Sequence, residues 1–318
     1  MDRVRLALIG AGGMANSVHY PSLSEFEDVE IVGICDIDEG RLNSTAERFG
    51  IEGRYVDYRK MIEETGPEGV YILMPPHLLY DLSAYCLDRG LHLFIEKPPG
   101  VTSFQTSHLS RHASEHGCLA MVGFNRRYIP LMTRAREMAE ERGPIVQGTA
   151  TFYKNMAESP PYYGGAIDML TCDIIHAVDV LRWLCGEPVK VASHLRSIGA
   201  DYQNSFNALA TFESGATGVL LSNFAVGSRI HTFEIHSKGF SALVNPSEGA
   251  MIYEGSEEAL EISTFEAAGS EEFRIFYGFK EENRHFIDSI RQGSQPMTNL
   301  DDATRTMEFV DRIYASGL

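Results

Sequence analysis

A lysine between a glutamate and a proline is the first candidate for chemistry in this sequence. The apolar run His92–Ile95 predicts a short strand, and Glu96, Lys97 and Pro98 follow it directly. Because proline donates no backbone hydrogen bond, it ends the strand and fixes the direction of the lysine. In a parallel sheet the carboxyl end of such a strand faces the ligand crevice. We therefore interpret Lys97 as a functional residue at the ligand crevice rather than a surface lysine at a strand end.

Three polar residues share one face of a predicted helix in the second half of the chain. Asp173, His176 and Asp179 are spaced three residues apart, so they project from the same side of that helix. An acid one turn from a histidine can hold the imidazole near neutral pKa for proton transfer. We expect His176 to be the acid/base and Asp173 its partner, with Asp179 in a structural role. Asp168, from the preceding turn, is an alternative partner.

A glycine-rich turn near the amino terminus predicts a nucleotide site. Gly10, Gly12 and Ala15 follow the strand-like run Val4–Ile9 in the pattern Gly-x-Gly-x-x-Ala and open a helical pattern. The first glycine permits a tight turn, the second admits a pyrophosphate to the backbone, and the small third residue lets helix and strand pack closely. The helix amino terminus favours the phosphates. The alternative is a glycine turn with a purely structural role.

An acid at the tip of the next strand completes this fingerprint. Asp36 ends the apolar run over residues 31–35, where a carboxylate accepts hydrogen bonds from the adenosine ribose hydroxyls. It would also repel the additional phosphate of NADP. Asp36 and Ile37 offer no basic residue at the tip, although Arg41 is near in sequence. The sequence therefore predicts NAD as the cofactor in preference to NADP.

The elements that must position these groups follow two patterns. Up to residue 122, five strand-like runs alternate with amphipathic helical patterns, which predicts a doubly wound parallel sheet. Beyond it come two helices, strand-like runs between residues 189 and 264 with the texture of an antiparallel sheet, and two closing helices. We predict an α/β protein of two domains. A Rossmann domain would span residues 1–122, and an α+β domain with an open, mostly antiparallel sheet would span residues 123–318.

The composition excludes several classes of protein. Lys and Arg total 27 against 44 Asp and Glu, a formal charge of -17, so the surface should repel nucleic acid and anionic membranes. No run of about 18 apolar residues could span a membrane, and the first residues do not resemble a signal peptide. Five cysteines without metal-ligand spacing predict reduced thiols and no metal site. Together these features predict a cytoplasmic protein.

The predicted ligand contacts extend beyond these motifs. Pro75, Pro76 and His77 follow a strand that should neighbour Lys97 and would border the nicotinamide. Residues 162 and 163, in a loop rich in proline and glycine, could stack on a sugar ring or form an aromatic plug. The predicted cofactor site comprises Gly10, Gly12, Gly13, Met14, Ala15, Asp36, Ile37, Pro75, Pro76, His77, Glu96 and Lys97. The predicted substrate site comprises Asn125, Arg127, Asn155, Tyr162 and Tyr163.

Taken in order, these motifs resemble the Gfo/Idh/MocA oxidoreductase family. The resemblance covers nearly the whole chain, and its most specific element is Glu-Lys-Pro. The matching stretches are residues 10–15 with His19 and Pro21, Asp36, residues 75–77, residues 96–98, residues 123–128, residues 173–186 and residues 296–316. The resemblance implies a Rossmann domain, a second domain whose sheet commonly forms an oligomer interface, and pyridine-nucleotide redox chemistry on sugars or cyclitols. In this family Lys97 matches the catalytic lysine.

The chain departs from the family pattern at one position. The family often carries an acid four residues before the histidine, where this chain has Cys172. An acid one residue later is rotated by about 100° around the helix. The choice between Asp173 and Asp168 as the partner of His176 therefore stays open.

Three functions are compatible with the motifs. The first is an NAD-dependent dehydrogenase of sugars or cyclitols, assembled as a homodimer or homotetramer by resemblance. The second is a hydrolase or lyase that oxidises a sugar transiently with tightly bound NAD. The third is a non-catalytic sensor of sugar or NAD, which the presence of Lys97 and His176 disfavours.

Overall fold

The computed structural model describes residues 3–156, 159–255 and 259–317. The chain forms two compact units. One contains Met1–Gly123 together with Phe279–Thr304, and the other contains Phe124–Gly278 together with Arg305–Leu318. The first crossing lies one residue beyond the predicted boundary. The return of Phe279–Thr304 to the first unit differs from the prediction, which assigned that segment to the second domain.

The first unit contains a six-stranded parallel sheet, as predicted. Its strand order is β3-β2-β1-β4-β5-β6, and all neighbouring strands are parallel. The apolar side chains of the central strands are buried on both faces, which is why these runs are almost continuously hydrophobic. The strands are β1 (Val4–Ile9), β2 (Val29–Cys35), β3 (Arg54–Tyr55), β4 (Gly69–Ile72), β5 (His92–Ile95) and β6 (Ala120–Val122).

Helices connect these strands, and side chains cap several of their amino termini. A π-helical turn over Ala15–His19 leads into the first α-helix. Asp38 accepts a hydrogen bond from the backbone N–H of Arg41, and Thr102 accepts one from Gln105. The helices are α1 (Tyr20–Leu23), α2 (Glu39–Phe49), α3 (Tyr58–Thr65), α4 (Pro76–Leu87) and α5 (Ser103–Glu115).

The second unit contains an eight-stranded, mostly antiparallel sheet. Its order is β14-β13-β12-β11-β7-β10-β9-β8, and β7 and β10 form its parallel pair. This confirms the predicted open sheet. The strands are β7 (Gln147–Asn155), β8 (Pro188–Arg196), β9 (Ser205–Phe212), β10 (Thr217–Asn223), β11 (Ala225–Ser237), β12 (Phe240–Asn245), β13 (Gly249–Glu254) and β14 (Leu260–Ser263).

Helices pack on one face of this sheet. A π-helical turn over Leu170–Ile174 leads into a helix that lies against β7 and β10. Close approach requires small residues, since a Cβ added to Gly148 would lie 3.0 Å from Cys185 Sγ. Alternation along β7 therefore directs Phe152 and Lys154 to this helix side. The helices are α6 (Pro130–Glu141), α7 (Ile175–Cys185), α8 (Thr264–Ala268) and α9 (Phe273–Phe276).

Two longer helices close the chain, α10 (Phe279–Gln292) and α11 (Leu300–Ala315). The first buries Phe286 and Ile287 completely within the first unit. Its Arg284 donates two hydrogen bonds to Asp28, at 2.8 and 3.1 Å. Beyond α10, Thr298 accepts a hydrogen bond from the backbone N–H of Val122 at 2.8 Å. These contacts explain why the segment belongs to the first unit. Among the described residues, no helix has the length and apolarity needed to cross a lipid bilayer.

Candidate active site

The glycine turn contains one glycine that the fold requires and two that it does not. Gly10 has φ +109°, and a Cβ there would lie 2.4 Å from the carbonyl oxygen of Leu73. A Cβ on Gly12 or Gly13 would meet no described atom within 4 Å. The space in front of these two glycines is therefore a cradle that side chains would fill. A pyrophosphate that approaches the backbone fits this cradle.

Hydrogen bonds from neighbouring side chains stabilise the conformation of the glycine turn. Asn16 Nδ2 donates to the carbonyl oxygen of Ala11 at 2.8 Å and to Thr45 Oγ1 at 2.9 Å. The hydroxyl of Tyr20 donates to the carbonyl oxygen of Gly10 at 3.1 Å. These bonds engage carbonyl oxygens of the turn that would otherwise repel an anion. Met14, at the start of the helical segment, is half-exposed.

Asp36 is connected directly to the glycine turn. Its carboxylate accepts hydrogen bonds from the backbone N–H groups of Ala11 and Asp38, both at 2.8 Å, and from the Arg41 guanidinium at 3.0 Å. Burial alone would raise the pKa of Asp36, but these bonds outweigh burial and lower the pKa. The acid is therefore ionised at neutral pH, and it stands at the end of β2, where a carboxylate of this fold can accept hydrogen bonds from a ribose. Ile37 beside it is largely exposed.

A buried histidine anchors Glu96 beside Lys97. His19 lies completely inside the first unit, with Nε2 3.0 Å from Glu96 Oε1 and Nδ1 3.2 Å from Asn283 Oδ1. Glu96 Oε2 accepts a hydrogen bond from the backbone N–H of Lys97 at 3.1 Å. Burial raises the pKa of Glu96, but His19 and Lys97 outweigh it and lower the pKa. The sequence pattern included His19 in a motif but gave it no role in the site.

The carboxyl ends of the strands that precede the predicted cofactor residues are neighbours. Strands β1, β4 and β5 are adjacent and parallel, so their carboxyl ends lie along one edge of the sheet. Gly10 follows β1, and Lys97 follows β5. Pro75 and Pro76 follow β4 and begin α4, where His77 is exposed. The structure thus brings the predicted cofactor residues of the glycine turn and the strand exits to a common edge.

In the second unit, Asp173 is the centre of a small polar cluster. It accepts a hydrogen bond from the hydroxyl of Tyr162 at 2.8 Å and another from the ammonium group of Lys154. Burial, together with the charge of Asp173, raises the pKa of the Tyr162 hydroxyl. His176 is buried, and its ring centroid lies 6.4 Å from that of Phe124. Lys154 was not predicted, because a single lysine in a strand carries no signal.

Asp168, the alternative acid, has other partners. Its Oδ1 accepts hydrogen bonds from the backbone N–H of Thr171 at 2.8 Å and from the Tyr314 hydroxyl at 2.6 Å. It therefore stabilises the turn before α7. Asp173 likewise has Lys154 and Tyr162 as partners, so the choice between Asp173 and Asp168 as the partner of His176 stays open.

Two predicted substrate residues lie in the interior of the second unit. Arg127 forms two hydrogen bonds with Asp179, at 2.8 and 2.6 Å, and both side chains are almost fully buried. Asp179 also accepts a hydrogen bond from Thr306 Oγ1 at 3.0 Å. Asn125 is buried as well and donates to the carbonyl oxygen of Tyr277 at 2.9 Å. This geometry favours structural roles for Arg127 and Asn125 over the substrate contacts predicted from the sequence.

Two of the remaining three predicted substrate residues, Asn155 and Tyr163, are accessible, and the third, Tyr162, bonds Asp173 as described above. Asn155 is exposed at the end of β7, and its Nδ2 lies 3.4 Å from the carbonyl oxygen of Gly227. Tyr163 is 51% exposed and has φ +50°. Their roles toward a substrate remain predictions.

A possible metal-ligand group lies elsewhere in the first unit. Asp88, His112 and His116 offer ligand atoms within 4.8 Å of one another. Asp88 Oδ1 and His112 Nε2 are 2.9 Å apart, so the pair also forms an ordinary surface ion pair when the histidine is protonated. The expectation that the protein holds no metal therefore stays a prediction.

Known proteins match both units of the chain. The family model described as "Oxidoreductase family, NAD-binding Rossmann fold" matches residues 4–124, and the model described as "GFO/IDH/MocA C-terminal domain" matches residues 132–240. Among curated relatives, D-xylose 1-dehydrogenase (NADP(+)) 2 of Haloferax volcanii is 25% identical over 97% of this chain and 96% of its own length. The scyllo-inositol 2-dehydrogenase (NAD(+)) of Bacillus subtilis is 25% identical over 96% and 92%.

Solved structures agree with the fold. A dehydrogenase from Chromobacterium violaceum superposes with a TM-score of 0.91 at 19% identity, covering 100% of this chain and 96% of that one. A levoglucosan dehydrogenase in complex with NADH and levoglucosan gives 0.87 at 22% identity, covering 99% and 97%. Together with the two family models, these similarities show that the chain belongs to the Gfo/Idh/MocA oxidoreductase family and begins with an NAD-binding Rossmann domain.

Proposed function

We propose that this protein is an NAD-dependent dehydrogenase that transfers a hydride between nicotinamide and a hydroxyl-bearing carbon of a sugar, cyclitol or related polyol. The observation that carries the proposal is the anchored Glu96–Lys97 pair on the same sheet edge as the glycine turn. The names of the relatives support it, since they are dehydrogenases of xylose and inositol.

Lys97 and His176 have separate roles in the proposed reaction. The nicotinamide of bound NAD supplies the hydride acceptor. Lys97 donates a hydrogen bond to the substrate oxygen and stabilises the negative charge that develops there. His176 accepts the hydroxyl proton during oxidation and returns it during reduction. Asp173 is a positioning residue that orients this histidine or a neighbouring hydroxyl of the substrate.

NAD is the cofactor that Asp36 favours. Its carboxylate is ionised and sits where the adenosine ribose binds, so the additional phosphate of NADP would meet a negative charge. Arg41 pairs with this carboxylate at 3.0 Å and does not stand alone as a phosphate ligand. The Haloferax relative uses NADP by name. Binding of NAD and NADP to the same protein therefore tests the preference, and tighter NADP binding would contradict it.

The assembly and the location of the protein are also proposed. One face of the second sheet exposes apolar side chains, among them Leu209, Leu243 and Tyr253, which are 52%, 41% and 41% exposed. This face supports a homodimer or homotetramer, and a monomeric mass by light scattering would contradict it. All five cysteines are buried and free, which supports a reducing compartment such as the cytoplasm.

The direct test of the function is NADH formation. Purified protein with NAD is presented with inositols, neutral sugars and sugar acids, and NADH fluorescence is followed. A signal that depends on the polyol supports a dehydrogenase. Cleavage of a glycoside without net NADH, by protein that retains NAD through purification, would instead support the redox-assisted hydrolase. Binding of NAD and sugar without any conversion would support a sensor.

A further inference from the structure

A group of basic side chains surrounds one aromatic ring on the helix side of the second sheet. We call Arg126, Lys154, Arg229 and His231 the basic cluster. The His231 ring stacks on Phe152 with centroids 3.8 Å apart. Arg126 Cζ and Lys154 Nζ lie 5.4 and 5.7 Å from the same Phe152 centroid. All of these residues belong to the second unit, close to the Asp173 cluster described above.

Arg126 is a buried cation that forms no ion pair with a carboxylate of the described residues. Its side chain is 5% exposed, and the hydrogen bond that it makes runs from Nη1 to Asn125 Oδ1 at 3.2 Å. Nε has no hydrogen-bond partner among residues 3–156, 159–255 and 259–317. The rings of Phe152 and Tyr277 attract the guanidinium but cannot replace an acceptor for Nε. Burial therefore lowers the pKa of Arg126.

Other buried arginines of the same unit do have acids. Arg127, the next residue along the chain, forms a bidentate pair with Asp179. Arg182 donates to Glu187 at 2.8 Å. An unpaired buried charge destabilises a protein, whereas a paired and hydrogen-bonded one does not carry the full desolvation penalty. The missing acceptor at Arg126 thus points to a ligand that supplies it.

His231 also has unused hydrogen-bonding groups. It is 5% exposed, and neither ring nitrogen has a hydrogen-bond partner within the described part of the chain. Burial, with the nearby charges of Arg126 and Arg229, lowers the pKa of His231 to about 2. The ring is therefore neutral and offers one donor and one acceptor.

The charges of this region leave a positive excess. Asp173 is engaged by Lys154 and Tyr162. Arg229 reaches the cluster from the irregular part of β11, between Ala225 and Ile230, and donates to the Tyr277 hydroxyl at 3.0 Å. With Lys154 balanced by Asp173 and Arg229 exposed to solvent, the buried guanidinium of Arg126 is left without an ion pair within the described part of the chain.

From these observations we propose that the basic cluster binds an oxyanion carried by the substrate, so that the polyol oxidised by this enzyme is a sugar acid. The inference rests on the proposed function and names its substrate class. Arg126 donates to the carboxylate through Nε, and His231 donates to the same group or to an adjacent hydroxyl. A phosphate has the same acceptor chemistry and is separated from the carboxylate by the experiment.

This arrangement gives specificity as well as affinity. A neutral sugar would leave the Nε group of Arg126 buried without an acceptor, and sites built for a hydrogen bond strongly reject ligands that cannot make it. The acid should therefore be preferred through both binding and turnover.

The test compares matched ligands on wild-type protein and on Arg126→Met. The ligand sets are a neutral hexose, its aldonate, its uronate and its phosphate, prepared for glucose, galactose and mannose. We expect kcat/KM for a carboxylate to exceed that for its neutral parent by at least about 10-fold. Arg126→Met should lower the carboxylate value about 10- to 100-fold, as expected for a charged hydrogen bond. The ratio of the carboxylate value to the neutral value should therefore fall towards 1. Arg134→Met, on an exposed face of α6, is the control.

A binding measurement separates this inference from the proposed function. Lys97→Met protein loaded with NAD is titrated by calorimetry with gluconate and glucose, with and without Arg126→Met. Gluconate binding that requires Arg126, without turnover of any polyol by wild-type protein, would support the sugar-acid site and contradict the dehydrogenase. Equal kcat/KM for a neutral sugar and its acid, with neither value changed by Arg126→Met, or no binding of any acid, would overturn the sugar-acid site alone. A preference for phosphates over carboxylates would overturn the assignment to sugar acids.

Folding of the variants is checked by thermal denaturation. If Arg126→Met does not fold, Arg126→Gln and His231→Gln are used, since both retain polarity. Each should weaken gluconate binding while leaving NAD binding unchanged. Unchanged gluconate binding in both would overturn the proposal.

Discussion

The buried polar groups beside Lys97 and those of the basic cluster differ in their hydrogen bonding. In the first unit, His19 is held between Glu96 and Asn283, and Glu96 in turn accepts from the backbone of Lys97. In the second unit, Arg126 Nε and both nitrogens of His231 have no partner among the described residues. The pairing beside Lys97 is therefore complete within the protein, whereas Arg126 and His231 leave hydrogen-bonding groups for the proposed ligand. Hydrogen bonds that are complete within the protein suit a cofactor that is shared across a family. Hydrogen-bonding groups that await a ligand suit a substrate that differs between relatives.

Removing the proposed acid/base should lower turnover without changing NAD binding. We expect His176→Ala to lower kcat about 10²- to 10⁴-fold, because proton transfer loses its positioned group. NAD affinity, measured by calorimetry, should stay within about 3-fold of wild type. The exposed His194, changed to Ala, is the control. A variant with full turnover, or one with lost NAD binding, would contradict the division of roles.

Two glycine substitutions should separate the fold from the cofactor within the first unit. Gly10→Ala places a Cβ 2.4 Å from the carbonyl oxygen of Leu73 at φ +109°, so we expect a lower melting temperature and a loss of about 2 kcal/mol or more in the free energy of unfolding. Gly12→Ala meets no described atom within 4 Å. It should leave stability nearly unchanged and weaken NAD binding about 10-fold.

Calorimetry with NAD and thermal denaturation check both glycine variants. If Gly12→Ala bound NAD as tightly as wild type, the cradle in front of that residue would not hold the pyrophosphate. If Gly10→Ala were as stable as wild type, the turn would not depend on its left-handed conformation.

The smallest effect is expected from removing the ion pairs that connect α10 to Asp28 within the first unit. Hydrogen bonds from Arg284, and further ones from Arg291, lower the pKa of Asp28 from 3.8 to about 2. Because the pKa is lowered, the ionised carboxylate stabilises the folded protein at pH values above 3.8, the pKa in the unfolded chain. This stabilisation is lost as the pH falls through about 2. Asp28→Asn should therefore lower the free energy of unfolding by about 1–2 kcal/mol at neutral pH.

The pH series makes the Asp28 prediction specific. The difference between Asp28→Asn and wild type should narrow as the pH falls below about 4. Glu27→Gln, at an exposed neighbouring position, should show no such dependence. A constant difference at every pH would mean that the ion pairs with α10 do not stabilise the unit.

The cofactor side of this molecule could be predicted from sequence, because its signals are local. Strands β1, β2 and β5 have the predicted bounds, since each is an apolar run that ends at a glycine or an acid. Lys97 and Asp36 stand directly at such ends. The two-residue strand β3 was missed, because so short a run does not differ from a loop.

The substrate side could not be predicted in the same way. Arg126, Lys154 and His231 are ordinary residues in their own segments, and only the pairing of β11 with β7 puts His231 opposite Phe152. Arg127 was chosen in place of Arg126, since nothing local reveals which arginine has Asp179 as its partner. The prediction that α10 belongs to the second domain was wrong for a related reason. The amphipathic pattern of a helix does not indicate which sheet covers its apolar face.

Single-turnover hydride transfer in wild-type and Lys97→Met protein tests the central claim most directly. Protein in excess over NAD is mixed with the best polyol of the panel, and NADH formation is followed with NAD affinity measured in parallel. Lys97→Met should form NADH at least about 10²- to 10³-fold more slowly while binding NAD normally, because it lacks the donor to the developing oxyanion. Lys60→Met, on the exposed side of α3, is the control. NADH formation at a near-normal rate in Lys97→Met would contradict the assignment of Lys97 as the catalytic lysine.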